Sequence, residues 1–517
     1  MTINTNGQLN RRGFLKTSAA AVAATTLPMS VASASPKRGG HLRVGKGHGA
    51  TTDTWNPATW DNGFTLPLAF AVHGYLTEIK ADGSAGPLVA ESWEASPDAK
   101  IWRFKIRKGA TFHSGKDVTP EDVKASILYH KGPDSTSAAG PIVEPIEDIS
   151  IDGDTVVFEL SGGNADFPFI LSDVHLSIHP AKDDTIDWES ADGCGAYVPK
   201  NVKFGVSAYL ERYPNYWRDD VAWFDSIEML SLVDQNARTT AMVAGDVDVI
   251  DRLDLKTVGL LERNPNLNIH SIAGNQHFTF AMASNQVPFD DNNVRQALKY
   301  AINREELVDK ILFGYGSLGN DNPIGKGQLY YNSELEQKAY DPDKAKWYLQ
   351  QAGLDKLEVS LSAADAAFAG AVDAAVLFQN SAKSADIDIR VVREPNDGYW
   401  SDVWMQKPFT AVYWNGRPVQ DQMFSTAFAC GAAWNDGFWC NDRFEELLIA
   451  ARAELDNAKR KQMYFEIQDI VSNDGSVIIP MFANYVFATS NKISTPEITA
   501  SNWDMDGERW AERWWFA

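Results

Sequence analysis

The sequence predicts an α/β protein, on three observations. Segments with the two-residue alternation of strands occur along the whole chain, interleaved with segments whose apolar residues recur at helical spacing. The chain carries no internal repeat and no low-complexity linker. Its 517 residues have room for two to four domains with substantial cores. Such mixing indicates α/β layers rather than a sandwich or a helical bundle.

Three strands can be predicted directly. Residues 42–44 form a short strand before a glycine-rich turn, and residues 102–106 alternate apolar and charged side chains. Residues 156–160 are mostly apolar and begin with two β-branched valines, and they follow the turn residues 152–154.

Helix starts carry clear capping signals. Thr119 is followed by Pro120, Glu121 and Asp122, which places a cap, an N1 proline and two acids at the positive end of a helix dipole. Asp341 and Pro342 repeat that arrangement before a helical stripe that Gly353 ends. Further helices are predicted over residues 293–302 and from residue 304 to before residue 314, and residues 444–472 are predicted to be a strongly helical region.

The N-terminus predicts export. Arg11 and Arg12 precede Phe14, a weakly apolar stretch follows, and Ala32-Ser33-Ala34 is a small-residue cleavage pattern. This resembles a twin-arginine signal, and we assign it to residues 1–34. No later run of 18 apolar residues occurs, so we expect a soluble periplasmic protein after cleavage. The net charge of −22 argues against nucleic acid and anionic lipid as partners, but it does not exclude an anionic small ligand.

The cysteines fit an oxidising compartment without demanding one. Cys430 and Cys440 bracket a nine-residue loop, 431–439, and could close a disulfide there. Cys194 is left over, and we expect it to be a buried small residue.

A family resemblance covers the chain from about residue 42 to its end. Residues 88–123 look like the signature of the family 5 extracellular solute-binding proteins, the oligopeptide-, dipeptide- and nickel-binding group. Further segments are similar to motifs of that family in the family's order: residues 193–197, 211–217, 242–248, 294–304 and 341–353.

The resemblance implies a bilobal periplasmic-binding-protein fold of type II, with hinged lobes that close on a ligand and an extra inserted domain. We place lobe I at 37–80, 193–280 and 485–517, the inserted domain at 81–192, and lobe II at 281–484. The resemblance further implies a monomeric receptor that delivers a small ligand to the membrane permease of an ABC importer. It implies no enzyme activity, no cofactor and no protein-bound metal.

The ligand-reading segment of the family corresponds to residues 412–421. In peptide-binding relatives an aspartate here pairs with the α-ammonium of the ligand, but this chain has Arg417 at that position. An arginine suits a carboxylate, sulfonate or phosphate and repels an ammonium. The alternatives are an anionic group at Arg417, an amine held elsewhere by a residue such as Asp421, or an Arg417 that pairs with a neighbouring acid and never touches ligand.

Aromatic side chains are dense around this segment, and an aromatic cleft with few polar anchors is the ordinary form of a small-ligand site. Trp55 could reach the ligand from the opposing lobe, and residues 275–277 are placed near the crossover between lobes. The predicted ligand-binding set is Arg417, Trp414, Asn415, Gly416, Trp434, Trp439, Trp55, His277, Trp400 and Asp421.

Enzyme motifs are weak. Residues 45–50 match G-x-G-x-x-A, but the following residues cannot open the helix that a dinucleotide site needs. His175 and His179 are four apart, yet Pro180 ends any helix, so a structural role is favoured over zinc. The rival functions that stay open are a nickel-chelate receptor and, as the less favoured one, a secreted hydrolase with an unrecognised site.

Overall fold

The computed structural model describes residues 36–132, 135–183 and 185–517. The predicted export signal at residues 1–34 lies outside the described residues. Three sheets organise the described chain, and each has its own apolar core.

The first sheet has seven strands. Its central strand, His41–Lys46, is parallel to both of its neighbours, so the carboxyl ends of these three strands lie at one edge. One face packs against the helix Thr65–Val72 and the tryptophans near the C-terminus, and the other face against the helix Gln235–Ala244. The strand order is Tyr197–Lys203, Ser207–Arg212, Ser226–Ser231, His41–Lys46, Val249–Ile250, Tyr485–Ser490 and Leu267–Ile272.

The second large sheet has six strands and is also buried on both faces, which explains apolar runs such as His277–Met282 and Val477–Ala483. The strand order is Gly316–Leu318, Val477–Ala483, His277–Met282, Phe409–Trp414, Leu357–Ala363 and Ile387–Arg393. One face packs on the helices Asn292–Ala301, Arg304–Ile311, Pro342–Gln351 and Ala371–Ala382. The other face packs on the helices Gln420–Ala427, Asp442–Ala453 and Asn457–Asp474.

A four-stranded antiparallel sheet forms the third unit. Its strands are, in spatial order, Ala90–Ala95, Ile101–Ile106, Thr155–Leu160 and Ile146–Asp152. The helix Pro120–Leu128 packs on it and begins in the predicted way: the Thr119 side chain accepts from the backbone N–H of Asp122, whose carboxylate reaches back to Thr119.

The remaining elements of the described chain are short. The helical ones are Gly140–Val143, Phe167–Ile170, Val258–Leu261, Asp504–Gly507 and Trp510–Arg513, the 3₁₀ turns Pro57–Thr59 and Lys383–Ala385, and the π-turn Tyr399–Val403. The strand pairs are Thr77–Ile79 with Ala85–Pro87, Ala181–Lys182 with Thr185–Ile186, and Ile493–Ser494 with Trp515–Phe516.

The chain crosses between the two large sheets at residues 273–276 and again at Asn484. The strand Leu267–Ile272 points the same way as Val249–Ile250, because both are antiparallel to Tyr485–Ser490. It therefore leaves the first sheet at its carboxyl edge. The next strand, His277–Met282, enters the second sheet where Phe409–Trp414 ends. The carboxyl edges of both sheets thus adjoin across four residues, the usual place for a ligand crevice in α/β folds.

The predicted strands and most predicted helices are confirmed in position. The strongly helical region predicted over residues 444–472 is helical in the structure, and it consists of two helices. The break falls at residues 454–456, where Asp456 accepts from the backbone N–H groups of Ala458 and Lys459 and begins the second helix.

The predicted α/β class is confirmed by this arrangement of sheets and helices, whereas the domain limits stay a proposal. We move one of them: His277–Met282 pairs entirely within the six-stranded sheet, so lobe II is proposed to begin at residue 277 rather than 281. Among the described residues, no helix has the length and apolar character needed to cross a membrane.

Candidate ligand-binding site

The predicted reading segment lies at the crevice edge of the second sheet. Trp414 ends the strand Phe409–Trp414 and pairs in register with His277, the first residue of the neighbouring strand. Asn415, Gly416 and Arg417 follow directly. The fold therefore places the sequence-predicted Trp414–Arg417 segment and His277 side by side.

Arg417 is a half-buried cation without a carboxylate partner among the residues that the structure describes. Its guanidinium donates to the main-chain oxygen of Asn415 (3.2 Å), and its own carbonyl accepts from the side-chain amide of Gln328 (3.2 Å). Burial lowers the pKa of Arg417 from its usual value. Pairing with a neighbouring acid was one of the three alternatives for this residue, and no such ion pair is found in the described chain.

Two buried acceptors lie beside Arg417. The Nδ1 of His277 is 3.1 Å from the carbonyl oxygen of Asn275, and because a carbonyl only accepts, Nδ1 carries the proton. Nε2 of His277 is therefore an acceptor, and it has no partner in the described structure. Oδ1 of Asn275 is a second buried acceptor without a partner there. Burial lowers the pKa of His277 to about 4, with a smaller contribution in the same direction from Arg417. Unpaired buried acceptors beside an unpaired cation are typical of a polar ligand site rather than of a core.

The loop is fixed to the crossover by close packing. A Cβ on Gly416 would be 2.3 Å from the Cβ of Asn275, so only glycine fits. The side-chain amide of Gln276 donates to the side-chain oxygen of Asn415 (2.9 Å). Ser501, near the C-terminus, donates to the carbonyl of Gly327 (3.2 Å), next to Gln328, whose side-chain amide donates to the carbonyl of Arg417.

An aromatic surface continues from Trp414. Successive ring centroids are 6.1 Å apart for Trp414 and Trp434, 6.4 Å for Trp434 and Trp404, 5.7 Å for Trp404 and Trp400, and 5.6 Å for Trp400 and Tyr413. We call these five rings the aromatic wall. Trp434, Trp400 and Tyr413 are 50%, 40% and 36% exposed, so these three rings of the wall face open space, whereas Trp414 is buried.

Asp436 lies behind the wall and was missed by the sequence reasoning. Its Oδ2 accepts from the indole N–H groups of Trp404 (3.2 Å) and Trp414 (3.4 Å). Burial raises its pKa to about 6, and the two indole hydrogen bonds only partly oppose that shift. No motif marks this residue, because the contact joins three segments that are distant in sequence.

Three predicted residues lie elsewhere. Trp439 is buried in the core beneath the second sheet, where it packs on Phe444 and donates to Asp474 (3.0 Å), so we remove it from the site. We remove Asp421 as well, because Arg452 donates to both of its carboxylate oxygens (2.9 and 3.0 Å), which leaves it unavailable to an amine. Trp55 packs against Phe204 and His73, and no contact joins it to Arg417.

The carboxyl edge of the first sheet carries a buried charge cluster that the sequence reasoning also missed. Lys46, at the end of the central strand, lies 3.0 Å from Glu508 and 3.1 Å from Asp251. Burial raises the pKa of Glu508 to about 8 and that of Asp504 to about 6. Residues 505–508 all have φ between 46° and 67°, a left-handed turn that is strained for the three non-glycine residues and is held by these contacts.

Cys430 and Cys440 are joined by a disulfide with Cα atoms 4.8 Å apart, and the loop between them carries Trp434 and Asp436. Cys194 is free and buried, and burial raises the pKa of its thiol to about 12. His175 bonds to Asp173 (2.6 Å) and His179 to Ser177 (2.8 Å). Within the described ranges no three metal-ligating side chains converge.

Known proteins place the chain in a family. Residues 85–436, well over half of the chain, match the family described as bacterial extracellular solute-binding proteins, family 5 Middle. The chain belongs to this family. Residues 8–28 match the twin-arginine translocation signal sequence. The protein is therefore exported to the periplasm as a solute-binding component of an ABC importer, and the predictions of family, compartment and non-enzymatic role are confirmed.

Relatives of the family 5 protein differ in their named ligands. The dipeptide-binding protein of Escherichia coli K12 is 25% identical over 515 residues, covering 91% of this chain and 93% of the relative. The nickel-binding periplasmic protein of the same strain is 26% identical over 294 residues, covering 54% and 56%. The structure of HbpA2 from Haemophilus parasuis superposes with a TM-score of 0.79 at 19% identity, covering 88% of this chain and 96% of that one, which supports the fold.

Proposed function

We propose that this protein captures a small amino-acid-derived or peptide-like ligand that carries an anionic group, and that Arg417 binds this group. The observation that carries the proposal is the half-buried guanidinium with no carboxylate partner in the described chain. A carboxylate, sulfonate or phosphate would supply the missing partner, and the planar fork of arginine matches such groups in a bidentate way.

Closure of the two lobes completes the proposal. The crossover segments at residues 273–276 and Asn484 join the sheets at their adjoining carboxyl edges. Rotation about these segments would bring the edge that carries Lys46 towards Arg417 and would bury a ligand between them. The closed form would then present a surface to the permease of the importer that the open form does not.

A nickel chelate is the second candidate, and it rests on the nickel-binding relative. Because no three metal-ligating side chains converge in the described chain, the metal would have to arrive with its own chelator. The anionic groups of that chelator would meet Arg417 in the same way.

Native mass spectrometry of the protein purified from its own periplasm is the first test, since it identifies a co-purified small molecule. We expect an anionic organic molecule that is recovered intact after incubation with the protein. Turnover of that molecule would contradict the receptor function and support a hydrolase, and nickel with a small chelator would support the second candidate.

Arg417→Ala is the second test. We expect calorimetry to show a loss of about 2–4 kcal/mol of binding free energy, the scale for a desolvated charge-assisted pair. Arg390→Ala is the matched control, because Arg390 is an exposed arginine on the strand Ile387–Arg393 of the same lobe. Equal affinities of Arg417→Ala and wild type would show that Arg417 does not touch the ligand.

A further inference from the structure

Asp436 is a buried carboxylate without a cation. It is 5% exposed, it accepts from two indole N–H groups, and no Lys, Arg or His lies within ion-pair distance in the described ranges. Several other buried carboxylates of this protein do have such a partner: Asp321 pairs with Arg304 (2.7 Å) and Asp251 with Lys46 (3.1 Å). Asp436 is therefore an exception within its own structure.

A purely structural role does not account for this carboxylate. Neutral acceptors, such as the oxygen of an asparagine side chain, could hold the indoles of Trp404 and Trp414 equally well. Burying a carboxylate without a paired cation has a large free-energy cost of desolvation, and burying a neutral amide has a smaller one. The charge is thus unexplained by the contacts that Asp436 makes inside the protein.

The aromatic wall in front of Asp436 supplies the second half of a cation site. Trp434 is 50% exposed, and its centroid lies 6.1 Å from that of Trp414 and 6.4 Å from that of Trp404. Tryptophan faces attract cations through their quadrupole, and the attraction strengthens where water is excluded. The same two indoles that line the wall donate to Asp436, so the wall and the carboxylate form one unit.

We propose that the aromatic wall and Asp436 bind the cationic nitrogen of the ligand, as an ammonium or quaternary ammonium group. The inference rests on the proposed function, since Arg417 follows Trp414 by three residues and would hold the anionic group of the same molecule. The ligand class is then zwitterionic. In this chain the anion would bind Arg417, and the cation would bind the aromatic wall with the buried carboxylate of Asp436 behind it.

The test titrates simple probes with the full mature protein. Binding is monitored by NMR through the methyl resonances of each probe. The probes are tetramethylammonium chloride, methylammonium chloride and the neutral tert-butanol, at constant ionic strength. We expect saturable binding of at least one ammonium probe and none of tert-butanol. In Asp436→Asn, which keeps an acceptor for both indoles, the dissociation constant should rise at least tenfold.

Further variants separate the outcomes. Trp434→Ala should lower the affinity for the ammonium probe at least fivefold. Because Trp434 is half-exposed, this variant serves as the second test if Asp436→Asn folds poorly. Trp347→Ala is the matched control, because Trp347 is 52% exposed on the helix Pro342–Gln351, outside the wall. Arg417→Ala should weaken binding of acetate, whereas Asp436→Asn should weaken binding of the ammonium probe, so failure of the anion site and failure of the cation site give different results.

Equal binding of the ammonium probes and tert-butanol would overturn the proposal. So would an Asp436→Asn protein that is folded by near-UV circular dichroism and binds tetramethylammonium as tightly as wild type. Loss of binding in Trp347→Ala to the same degree as in Trp434→Ala would also overturn it, because the effect would then not belong to the wall.

Discussion

Gly416 is the residue on which the geometry of the proposed anion site depends. It has no positive φ to explain it, and the reason for glycine here is the close approach of Asn275. The approach brings Arg417 beside the two unpaired acceptors, Nε2 of His277 and Oδ1 of Asn275. A ligand with both an anionic group and a nearby donor could satisfy all three at once.

Gly416→Ala should therefore move the whole reading segment. The new Cβ would lie 2.3 Å from the Cβ of Asn275, and the neighbouring backbone atoms of Asn275 are 3.3 Å away, so the loop must shift. We expect overpacking of about 1–3 kcal/mol and a weaker ligand complex, both measurable by urea denaturation and calorimetry.

Gly259→Ala is the control for that variant, since its Cβ meets no atom within 4 Å and its backbone conformation suits alanine. It should be neutral or slightly stabilising. A Gly416→Ala protein with unchanged stability and unchanged affinity would show that the loop is not tied to the crossover as described.

Single residues differ in how far the sequence predicts them. Arg417 and His277 could be placed because motifs and strand boundaries lie around them. Asp436 and Lys46 could not, because their partners are fixed by tertiary contacts: Asp436 meets indoles from two other segments, and Lys46 meets Glu508, which is 462 residues away. Trp439 and Asp421 show the converse, since closeness in sequence to the reading segment did not place them in the crevice.

At the scale of elements, local chemistry predicts starts better than ends. The caps at Thr119 and Asp341 begin helices as expected, because the capping bonds join residues only three apart. The left-handed turn at residues 505–508 has no such local signal. Met505 is buried in the core, Asp506 accepts from Trp514 (3.2 Å) and Arg513 (3.1 Å), and Glu508 accepts from Lys46. These long-range contacts stabilise the strained left-handed backbone of residues 505–508.

The loop closed by Cys430 and Cys440 is the element that presents Trp434 and Asp436. Its ends are ten residues apart, and closing a loop of that length stabilises a fold by about 3 kcal/mol in the chain-entropy description. Replacing both cysteines by serine should lower the free energy of unfolding by about that amount. It should also weaken binding of tetramethylammonium, because the wall would lose its fixed position.

Calorimetry of the double-serine variant and an NMR titration with the same probe measure the two effects. A Cys194→Ser variant is the control for loss of a thiol that is not in the disulfide. Full retention of ammonium binding in the double-serine protein would show that the loop holds its conformation without the bridge.

The whole molecule is organised by the two crossings between its large sheets. Topology alone brings their carboxyl edges together, since Leu267–Ile272 leaves one edge and His277–Met282 enters the other. This long-range order could not be read from periodicity, which predicted an α/β protein but neither strand order nor crevice. The family resemblance predicted the two-lobed topology and the position of the crevice, because relatives share the topology while their ligand residues differ.

Gly274 in the first crossing permits the close contact on which lobe movement would depend. A Cβ there would be 2.4 Å from the carbonyl oxygen of Ala483, which lies next to the second crossing, and Ala483 itself donates to the carbonyl of Gln276 (2.9 Å). Gly274→Ala should push the two crossings apart and disfavour the closed arrangement, while Arg417 and the aromatic wall keep their own contacts.

We expect the ligand affinity of Gly274→Ala to fall in proportion to the lost population of the closed form, which is tenfold for about 1.4 kcal/mol of strain. Small-angle scattering should show the wild-type radius of gyration decreasing on ligand addition and a smaller decrease in the variant. Gly162→Ala, with no atom within 4 Å of its Cβ, is the control. If the variant bound ligand and contracted like wild type, the lobes would close about some other segment, and the crossings would serve only to join them.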